Sequence, residues 1–275
     1  MRESVNRRRS WLFVAGADPA AHAAAAKSGA DVVVLELEDF TPPALRPKAR
    51  VMAAQAFAAW RKAGALVAVR VNPLEGDGRA DLAAVLPAKP DIVMMSKVDA
   101  PEKVVALEQA TRGAFELVPN VESAAGLRRA YEIGRASRKV SALLVASEDM
   151  VADLGTSRTR SGEELAYVRS RFLVECRAAG VEAIDAPYTF SDAKGAAADA
   201  RYAKRLGYRM KSLVDPSHAR AINRVLGVSQ KDRAHARRIV DAFEKARARG
   251  KERVKVDGLM VEVPIYAAAK RLLAR

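Results

Sequence analysis

Short apolar runs alternate with longer amphipathic segments along most of the chain. The runs are apolar throughout rather than at every second position, which is typical of strands buried on both faces of a parallel sheet. The pattern predicts eight strands, at Trp11–Ala15, Val32–Leu37, Leu66–Val71, Ile92–Ser96, Glu116–Val121, Val140–Ala146, Val181–Ile184 and Lys211–Val214.

Ala-rich segments with helical character separate these strands. They predict helices at Ala20–Ser28, Lys48–Lys62, Ala80–Leu86, Pro101–Thr111, Ala124–Ile133, Glu163–Ala179 and Ala193–Leu206. Such repeated alternation predicts a closed (β/α)₈ TIM barrel, and 275 residues is close to the roughly 250 that this fold needs. An open doubly wound sheet is the alternative, but no Gly-x-Gly-x-x-Gly turn follows the first strand.

The segment after the eighth strand is longer than a barrel requires. It predicts helices at Ala219–Leu226, Gln230–Gly250 and Pro264–Leu273. We interpret residues 1–275 as one barrel domain in which 227–275 forms a C-terminal helical extension. This extension could close the bottom of the barrel or pack on a neighbouring subunit.

The chain carries a net charge of +14, from 47 Lys and Arg residues against 33 Asp and Glu residues, and such a charge attracts polyanions. The excess is scattered over the helices and near the ends, without an aromatic-studded basic strand or a recognition helix. We therefore expect no nucleic-acid partner, although the charge alone would allow one. A solvated basic surface, or an acidic substrate such as an acyl-CoA, explains the charge equally well.

The cysteine content and the apolar runs indicate in which cellular compartment the protein is expected. The single cysteine, Cys176, excludes an intrachain disulfide and a cysteine metal cluster. No apolar stretch approaches about 18 residues, so no membrane span is expected. Because no long apolar run follows Arg7, Arg8 and Arg9, we expect no secretory signal and a cytoplasmic protein.

Charged and polar side chains follow five consecutive predicted strands, where a (β/α)₈ barrel carries its active site. They are Glu36, Glu38 and Asp39, then Arg70 and Asn72, Lys97 and Asp99, Glu122, and finally Glu148 and Asp149. A solvent-exposed loop would explain any one of these groups. Five in succession indicate a site, because buried charges are unfavourable unless they pair or bind a metal.

Two of these carboxylates, Glu122 and Asp149, end adjacent strands and can converge on one hard cation. Mg²⁺ prefers oxygen ligands and is usually held by one or two carboxylates plus waters and substrate oxygens. Glu148 could replace Asp149, or pair with a nearby lysine or arginine. None of the three histidines ends an early strand, which disfavours a zinc or iron site.

The two cations at the strand ends, Arg70 and Lys97, are interpreted differently. Arg70 can hold a carboxylate or a developing enolate oxygen in a planar fork, and an ion pair with Glu38 or Asp39 is compatible with that role. Lys97 could indicate Schiff-base chemistry. With Asp99 close behind it, a charged structural lysine is favoured, since a nucleophilic amine needs a strongly lowered pKa.

The same residues carry a resemblance to a known family. The chain resembles the citrate lyase β-subunit family, within the HpcH/HpaI aldolase/citrate lyase superfamily of Mg²⁺-dependent 2-oxo-acid aldolases. The matching segments, in order, are Arg9 to Val14, Gly29 to Asp31, Leu37 to Asp39, Arg70 to Pro73, Val121 to Ser123, Glu148 to Gly155, Ala183 to Tyr188 and Val256 to Val261.

This resemblance implies a (β/α)₈ barrel in which Glu122 and Asp149 bind Mg²⁺, with Mn²⁺ as the alternative ion, and Arg70 binds the oxo acid. It implies cleavage of a malyl-, citramalyl- or citryl-like 3-hydroxy-acyl thioester, on CoA or an acyl carrier protein, to an acetyl thioester and a 2-oxo acid. It also implies a trimer or hexamer. The expected base is Glu262, where relatives carry an aspartate, or a metal-bound water, with Glu38 and Asp39 as further choices.

Several positions depart from the family pattern. Asp18 stands where relatives carry an arginine, Ser96 replaces a proline, and Asp215 replaces a histidine. These changes suggest a divergent member with a different substrate. Two alternatives therefore stay open: a thioesterase or synthase acting on the same thioesters, and a barrel that binds a metabolite without turnover.

Overall fold

The computed structural model of the protein describes residues 8–274. Eight parallel strands pair in sequence order, and the eighth pairs with the first, which closes the barrel. The strands are β1 (Ser10–Ala15), β2 (Val32–Glu36), β3 (Leu66–Val71), β4 (Ile92–Met95), β5 (Glu116–Val121), β6 (Ala142–Val145), β7 (Glu182–Asp185) and β8 (Met210–Leu213). The predicted (β/α)₈ barrel is confirmed. The expectation of no secretory signal falls partly on residues 1–7, outside the described residues.

Helices surround the strands and continue beyond them. They are α1 (Pro19–Ser28), α2 (Arg46–Lys62), α3 (Gly78–Val85), α4 (Pro101–Ala110), α5 (Ala124–Arg128), α6 (Ala130–Arg135), α7 (Glu148–Asp153), α8 (Ala166–Ala179), α9 (Ala193–Leu206), α10 (Ala219–Leu226), α11 (Gln230–Arg247) and α12 (Val263–Leu273). The last two form the predicted C-terminal helical region, which is confirmed. None of the helices in residues 8–274 has the length and apolarity needed to cross a membrane.

Three local features differ from the sequence-based expectation. The predicted helix over 124–133 is broken into α5 and α6 at Arg129, whose φ of −107° and ψ of 14° leave the helical region. A short helix, α7, follows β6 directly. Near the C-terminus, β9 (Val254–Val256) and β10 (Leu259–Val261) form a hairpin around Asp257 and Gly258. Both turn residues have a positive φ, 48° and 84°, as a two-residue hairpin turn with matching twist requires.

Alternation along each strand fills the barrel and aims the polar residues at its mouth. Successive side chains point to opposite faces of a strand, and the inward set forms one apolar cluster: Trp11, Phe13, Val32, Val34, Ala68, Ile92, Met94, Val118, Ala142, Leu144, Ala146, Ile184 and Met210. Glu36 lies two residues after the inward-facing Val34, and Arg70 lies two residues after the inward-facing Ala68. These charged side chains therefore occupy inward positions at the carboxyl ends of their strands.

A buried ionic network lies between the last two barrel strands and the helices that cover them. Arg169 of α8 makes two hydrogen bonds to Asp185 of β7, at 2.8 and 2.7 Å. The ammonium of Lys211, on β8, lies 2.7 Å from Asp185 and 2.5 Å from Asp199 of α9. Two cations and two carboxylates balance one another, which is the condition for keeping such charges inside a protein.

The structure forms two compact units, one that ends at Leu226 and one that begins at Gly227. In the second unit, α11, α12 and the hairpin enclose a small apolar core that contains Ile239, Phe243 and Val261. The Phe243 and Tyr266 rings stack with their centroids 4.7 Å apart. The interpretation of the whole chain as a single domain stays a prediction.

Candidate active site

Arg70 lies at the centre of a group of carboxylates at the barrel mouth. Its Nε donates to Oε1 of Glu36 at 3.0 Å. Its two terminal nitrogens lie 3.4 Å from Glu122 and 3.3 Å from Glu38. Burial disfavours the charged guanidinium, but these carboxylates outweigh it and raise the pKa of Arg70. Arg70 is therefore permanently charged and held in one orientation.

Glu36 organises the loop that follows β2. Its side chain is fully buried, and its two oxygens accept hydrogen bonds from the backbone N–H groups of Glu38 and Phe40, each at 2.6 Å. Glu36 is one of the acids at the predicted strand ends, but it is not among the predicted site residues. The signal for it was the strand alternation, because β2 pairs with β3 so that Glu36 stands beside Arg70.

Lys97 joins two of the predicted site residues. Its side chain donates a hydrogen bond to Glu38, and its backbone N–H donates to Oε2 of Glu122 at 3.1 Å. The hydrogen bond to Glu38 raises the pKa of the Lys97 ammonium. A lysine kept charged in this way agrees with the structural role expected for it and opposes a Schiff-base role.

The neighbours Glu38 and Asp39 have opposite protonation tendencies. Burial would raise the pKa of Glu38, but the charge of Arg70 and the bond from Lys97 outweigh it and lower that pKa. Burial and the adjacent Glu38 carboxylate raise the pKa of Asp39 to about 6. Asp39 is thus the group of this pair that can exchange a proton near neutral pH.

The two predicted metal ligands open on one cavity. Glu122 follows the end of β5, Asp149 lies in the first turn of α7 after β6, and both line a cavity of about 390 Å³. Burial raises the pKa of Glu122 to about 8; Arg70 opposes this rise, and the Asp149 carboxylate adds to it. A cation in the cavity would relieve this repulsion and favour the ionised form of Glu122.

The donor set fits a magnesium ion. No group of three His, Cys, Asp or Glu side chains arranged for a metal occurs within residues 8–274. Mg²⁺ does not need one, because it keeps several waters and takes further oxygens from the substrate. Glu148, the alternative ligand, instead accepts a hydrogen bond from Arg158 at 3.2 Å. Glu122 and Asp149 are therefore the pair with the right chemistry for the ion.

A second cavity of about 300 Å³ lies beside the first. Asp149 borders both cavities. Arg70 and Asp39 also border the second one, which brings a predicted ligand, the predicted anion clamp and a titratable carboxylate around one space. This space has the size and chemistry of a small-molecule site.

Five of the six predicted site residues thus come together in the barrel unit: Arg70, Glu38, Asp39, Glu122 and Asp149. The sixth, Glu262, belongs to the second unit, where it immediately precedes α12, and its role stays a prediction. The functions predicted for the other five are likewise proposals that rest on this geometry.

Two departures from the family pattern have a structural explanation. The Asp18 side chain accepts hydrogen bonds from the backbone N–H groups of Ala20 and Ala21, at 2.8 and 3.1 Å. The Asp215 side chain accepts one from Ser217 at 2.8 Å. Both aspartates cap the start of a helical turn, a position that favours this residue type. Their presence is therefore accounted for by local stability.

Comparison with known proteins identifies the family of this chain. The model of the HpcH/HpaI aldolase/citrate lyase family matches residues 9–216. The chain belongs to this family. Citrate lyase subunit beta of Escherichia coli (strain K12) is 33% identical over 282 residues, which cover 98% of this chain and 93% of that protein. The L-malyl-CoA/beta-methylmalyl-CoA lyase of Cereibacter sphaeroides is 29% identical, over 93% of this chain and 90% of that protein.

A solved structure extends the similarity to three dimensions. The protein CitE from Mycobacterium tuberculosis, in complex with magnesium, acetoacetate and coenzyme A, superposes with a TM-score of 0.79 at 28% identity. The match covers 97% of this chain and 98% of that one. The predicted membership of the citrate lyase β-subunit-like family is confirmed, and the magnesium in that relative agrees with the cofactor expected from the sequence.

Proposed function

We propose that the barrel mouth is a Mg²⁺-dependent carbon–carbon lyase centre that cleaves a 3-hydroxy-acyl thioester into an acetyl thioester and a 2-oxo acid. The observation that carries the proposal is the meeting of Glu122 and Asp149 on one cavity, with the Arg70 guanidinium 3.4 Å from Glu122. The relatives named citrate lyase subunit beta and L-malyl-CoA/beta-methylmalyl-CoA lyase support the same reaction type.

Glu122 and Asp149 would hold the ion, with Mn²⁺ as the alternative to Mg²⁺. When bound, the ion supplies Lewis acidity to the substrate oxygens and so lowers the free energy of the charge that develops during cleavage. Arg70 binds the carboxylate or carbonyl oxygen of the oxo-acid half. Because Glu36 and Glu38 fix its guanidinium, little reorganisation is needed when the substrate arrives.

Asp39 is our choice for the general base, because its pKa of about 6 leaves it mostly ionised at neutral pH. It takes the proton of the C3 hydroxyl, and the hydroxyl oxygen becomes the keto oxygen of the 2-oxo acid. The C2–C3 bond breaks, and its electron pair stays with C2, which gives the enolate of the acetyl thioester. Protonation of C2 then gives the acetyl thioester. Glu38 orients Arg70 and Lys97, and Glu262 is the alternative base.

Paired substitutions test the metal assignment. We expect Glu122→Gln and Asp149→Asn each to lower lyase activity by ~100-fold or more and to weaken Mg²⁺ binding measured by calorimetry. Asp99→Asn is the matched control, because it removes one charge from the same cavity at a residue paired with Lys103. Equal loss in the control, or full turnover of the two ligand variants after chelation, would overturn the assignment.

Product analysis separates the lyase from the alternatives. A malyl or citramalyl thioester supplied with Mg²⁺ should yield a 2-oxo acid and an acetyl thioester. A free hydroxy acid with intact carbon skeleton would identify a thioesterase, and net condensation of the two products would identify a synthase. Binding of Mg²⁺ and an oxo acid without any product would identify a metabolite-binding barrel.

We further propose a cytoplasmic homo-oligomer, a trimer or hexamer, whose partners are a 2-oxo acid and an acyl-CoA-like thioester rather than nucleic acid. In this proposal residues 227–275 pack on a neighbouring subunit, which would place Glu262, the alternative base, at that subunit's site. Light scattering measures the assembly. If Glu262 rather than Asp39 is the base and acts across subunits, Glu262→Gln should be inactive, and mixing it with Glu122→Gln should restore part of the activity. An active monomer would contradict the proposal.

A further inference from the structure

The cavity of about 300 Å³ is lined by both acidic and apolar residues. Its acidic lining residues are Asp39, Glu148 and Asp149, and its apolar lining residues are Leu144, Ala146, Pro187 and Val214, together with Phe13 and Phe40, whose rings lie against the Arg70 guanidinium. Among its lining residues within the described part of the chain, Arg70 is the cation. A substrate group that contacts Leu144, Ala146, Pro187 and Val214 therefore meets side chains that cannot compensate a charge.

Arg70 has little capacity left for a second anion. Glu36, Glu38 and Glu122 lie within 3.4 Å of its guanidinium nitrogens. Two other cations contact lining residues, Lys97 at Asp39 and Arg158 at Glu148 and the Pro187 carbonyl oxygen, and both are also occupied by protein carboxylates. Lys97 binds Glu38, and Arg158 binds both Glu148 and Glu164. One substrate carboxylate can be bound at the Arg70 edge, but a second finds each of these cations already paired.

The hydroxyl groups of the cavity offer little compensation. Ser212 donates to the carbonyl oxygen of Asp185 at 2.8 Å, and Ser147 donates to Glu148 at 3.3 Å. Thr189 is the remaining hydroxyl in the lining. A carboxylate moved from water to such a wall would lose its hydration without gaining a counter-ion, which is strongly unfavourable.

We propose that this cavity selects monocarboxylic 2-oxo acids, in which the carbonyl carbon carries a hydrogen or a small alkyl group, and that it excludes dicarboxylic 2-oxo acids. Leu144, Ala146, Pro187 and Val214 are the specificity-determining wall. The inference rests on the proposed function, since it concerns the oxo-acid half released at the same site. It narrows the substrate to the malyl and citramalyl types and disfavours the citryl type.

The test compares substrates that differ in this one group. With Mg²⁺ present, we expect kcat/KM for malyl-CoA or citramalyl-CoA to exceed that for citryl-CoA by ~100-fold or more, because a buried unpaired charge discriminates strongly. Calorimetry of the Mg²⁺-loaded protein should show tighter binding of glyoxylate or pyruvate than of oxaloacetate. Equal or better cleavage of citryl-CoA, or equal or tighter binding of oxaloacetate, would overturn the inference. If no thioester is cleaved, the lyase function fails, and the binding ratio still decides the substrate class.

A charge placed on the apolar wall should reverse the preference. Val214 is partly exposed, so the ammonium of Val214→Lys can stay near water while its stem crosses the wall. We expect the ratio of oxaloacetate to pyruvate affinity to rise at least tenfold in this variant. Val214→Met, of similar length without charge, should leave the ratio near its original value. Thr189→Lys provides a second cation on the cavity lining if the first variant does not fold. An unchanged ratio in a folded lysine variant would count against the wall.

Discussion

Nη1 of Arg70 lies 3.4 Å from Oε1 of Glu122, and the two residues are only 5% and 4% exposed. The contact joins β3 to the end of β5 across the barrel mouth. It makes the anion clamp and a proposed metal ligand one electrostatic unit, in which a change at either group alters the other.

Arg70→Lys should therefore lose most of its lyase activity although it keeps the positive charge. A lysine ammonium cannot reach Glu36, Glu38 and Glu122 in the planar arrangement of a guanidinium. We expect kcat/KM to fall by about 100- to 1000-fold, as when a preorganised donor is removed. Steady-state kinetics with a malyl thioester measures the loss, and far-UV circular dichroism confirms folding. Activity within a few-fold of the unchanged protein would contradict the role of the fork.

Metal binding should depend on pH through Glu122. Burial and Asp149 raise its pKa to about 8 without the ion, so the carboxyl is mostly protonated at pH 7 and must lose its proton when Mg²⁺ binds. Mg²⁺ affinity should rise as the pH increases towards 8 and level off above it. Calorimetry at pH 7 in buffers of different ionisation enthalpy should detect nearly one proton released. Glu122→Gln is the control, and an unchanged affinity between pH 6 and 8 would refute the prediction.

The barrel and its strand-end site follow from the sequence because both depend on local pattern. Continuous apolar runs set the strands, and the residues just beyond them, such as Arg70, Glu122 and Asp149, must lie at the mouth of any parallel barrel. The role of Glu36 could not be predicted in this way, because it depends on the strand register and on hydrogen bonds within its own loop. The helix break at Arg129 could not be predicted either, because arginine is a residue type that helices accept readily.

The buried network around Asp199 should stabilise the barrel in a pH-dependent way. Burial alone would raise its pKa, but Lys211 and Arg169 outweigh it and lower the pKa from 3.8 to about 2. This contribution is fully present above pH 4 and is lost as the pH falls towards 2. Asp199→Asn should therefore lower the free energy of unfolding at pH 7 by about 2 kcal/mol.

Urea denaturation of the two proteins at pH 7 and at lower pH measures this difference, which should shrink below pH 4. Asp257→Asn, which removes an exposed partner of Arg238, is the control and should leave the urea midpoint nearly unchanged. An Asp199→Asn difference that persists unchanged at pH 2 would show that packing, rather than charge, explains the stability.

Glu36→Gln should show whether Glu36 acts by holding its loop and Arg70 in position or only through its negative charge. The carboxylate accepts from two backbone N–H groups and from Arg70, and a glutamine would turn an NH₂ group towards one of these donors. The loop that carries Glu38 and Asp39 should loosen, and kcat should fall by about 10- to 100-fold because the base and the guanidinium lose their fixed positions.

Amide hydrogen exchange provides the readout that a purely catalytic defect would not change. In Glu36→Gln the backbone amides of Glu38 and Phe40 should exchange faster, because the side-chain oxygens that accept from them are lost or weakened. Glu148→Gln is the matched control, since Glu148 borders the cavity that Asp39 and Phe40 of this loop also line, but its carboxylate is bound by Arg158. If activity fell while both amides kept their protection, Glu36 would act through charge alone, and the loop would owe its shape to other contacts.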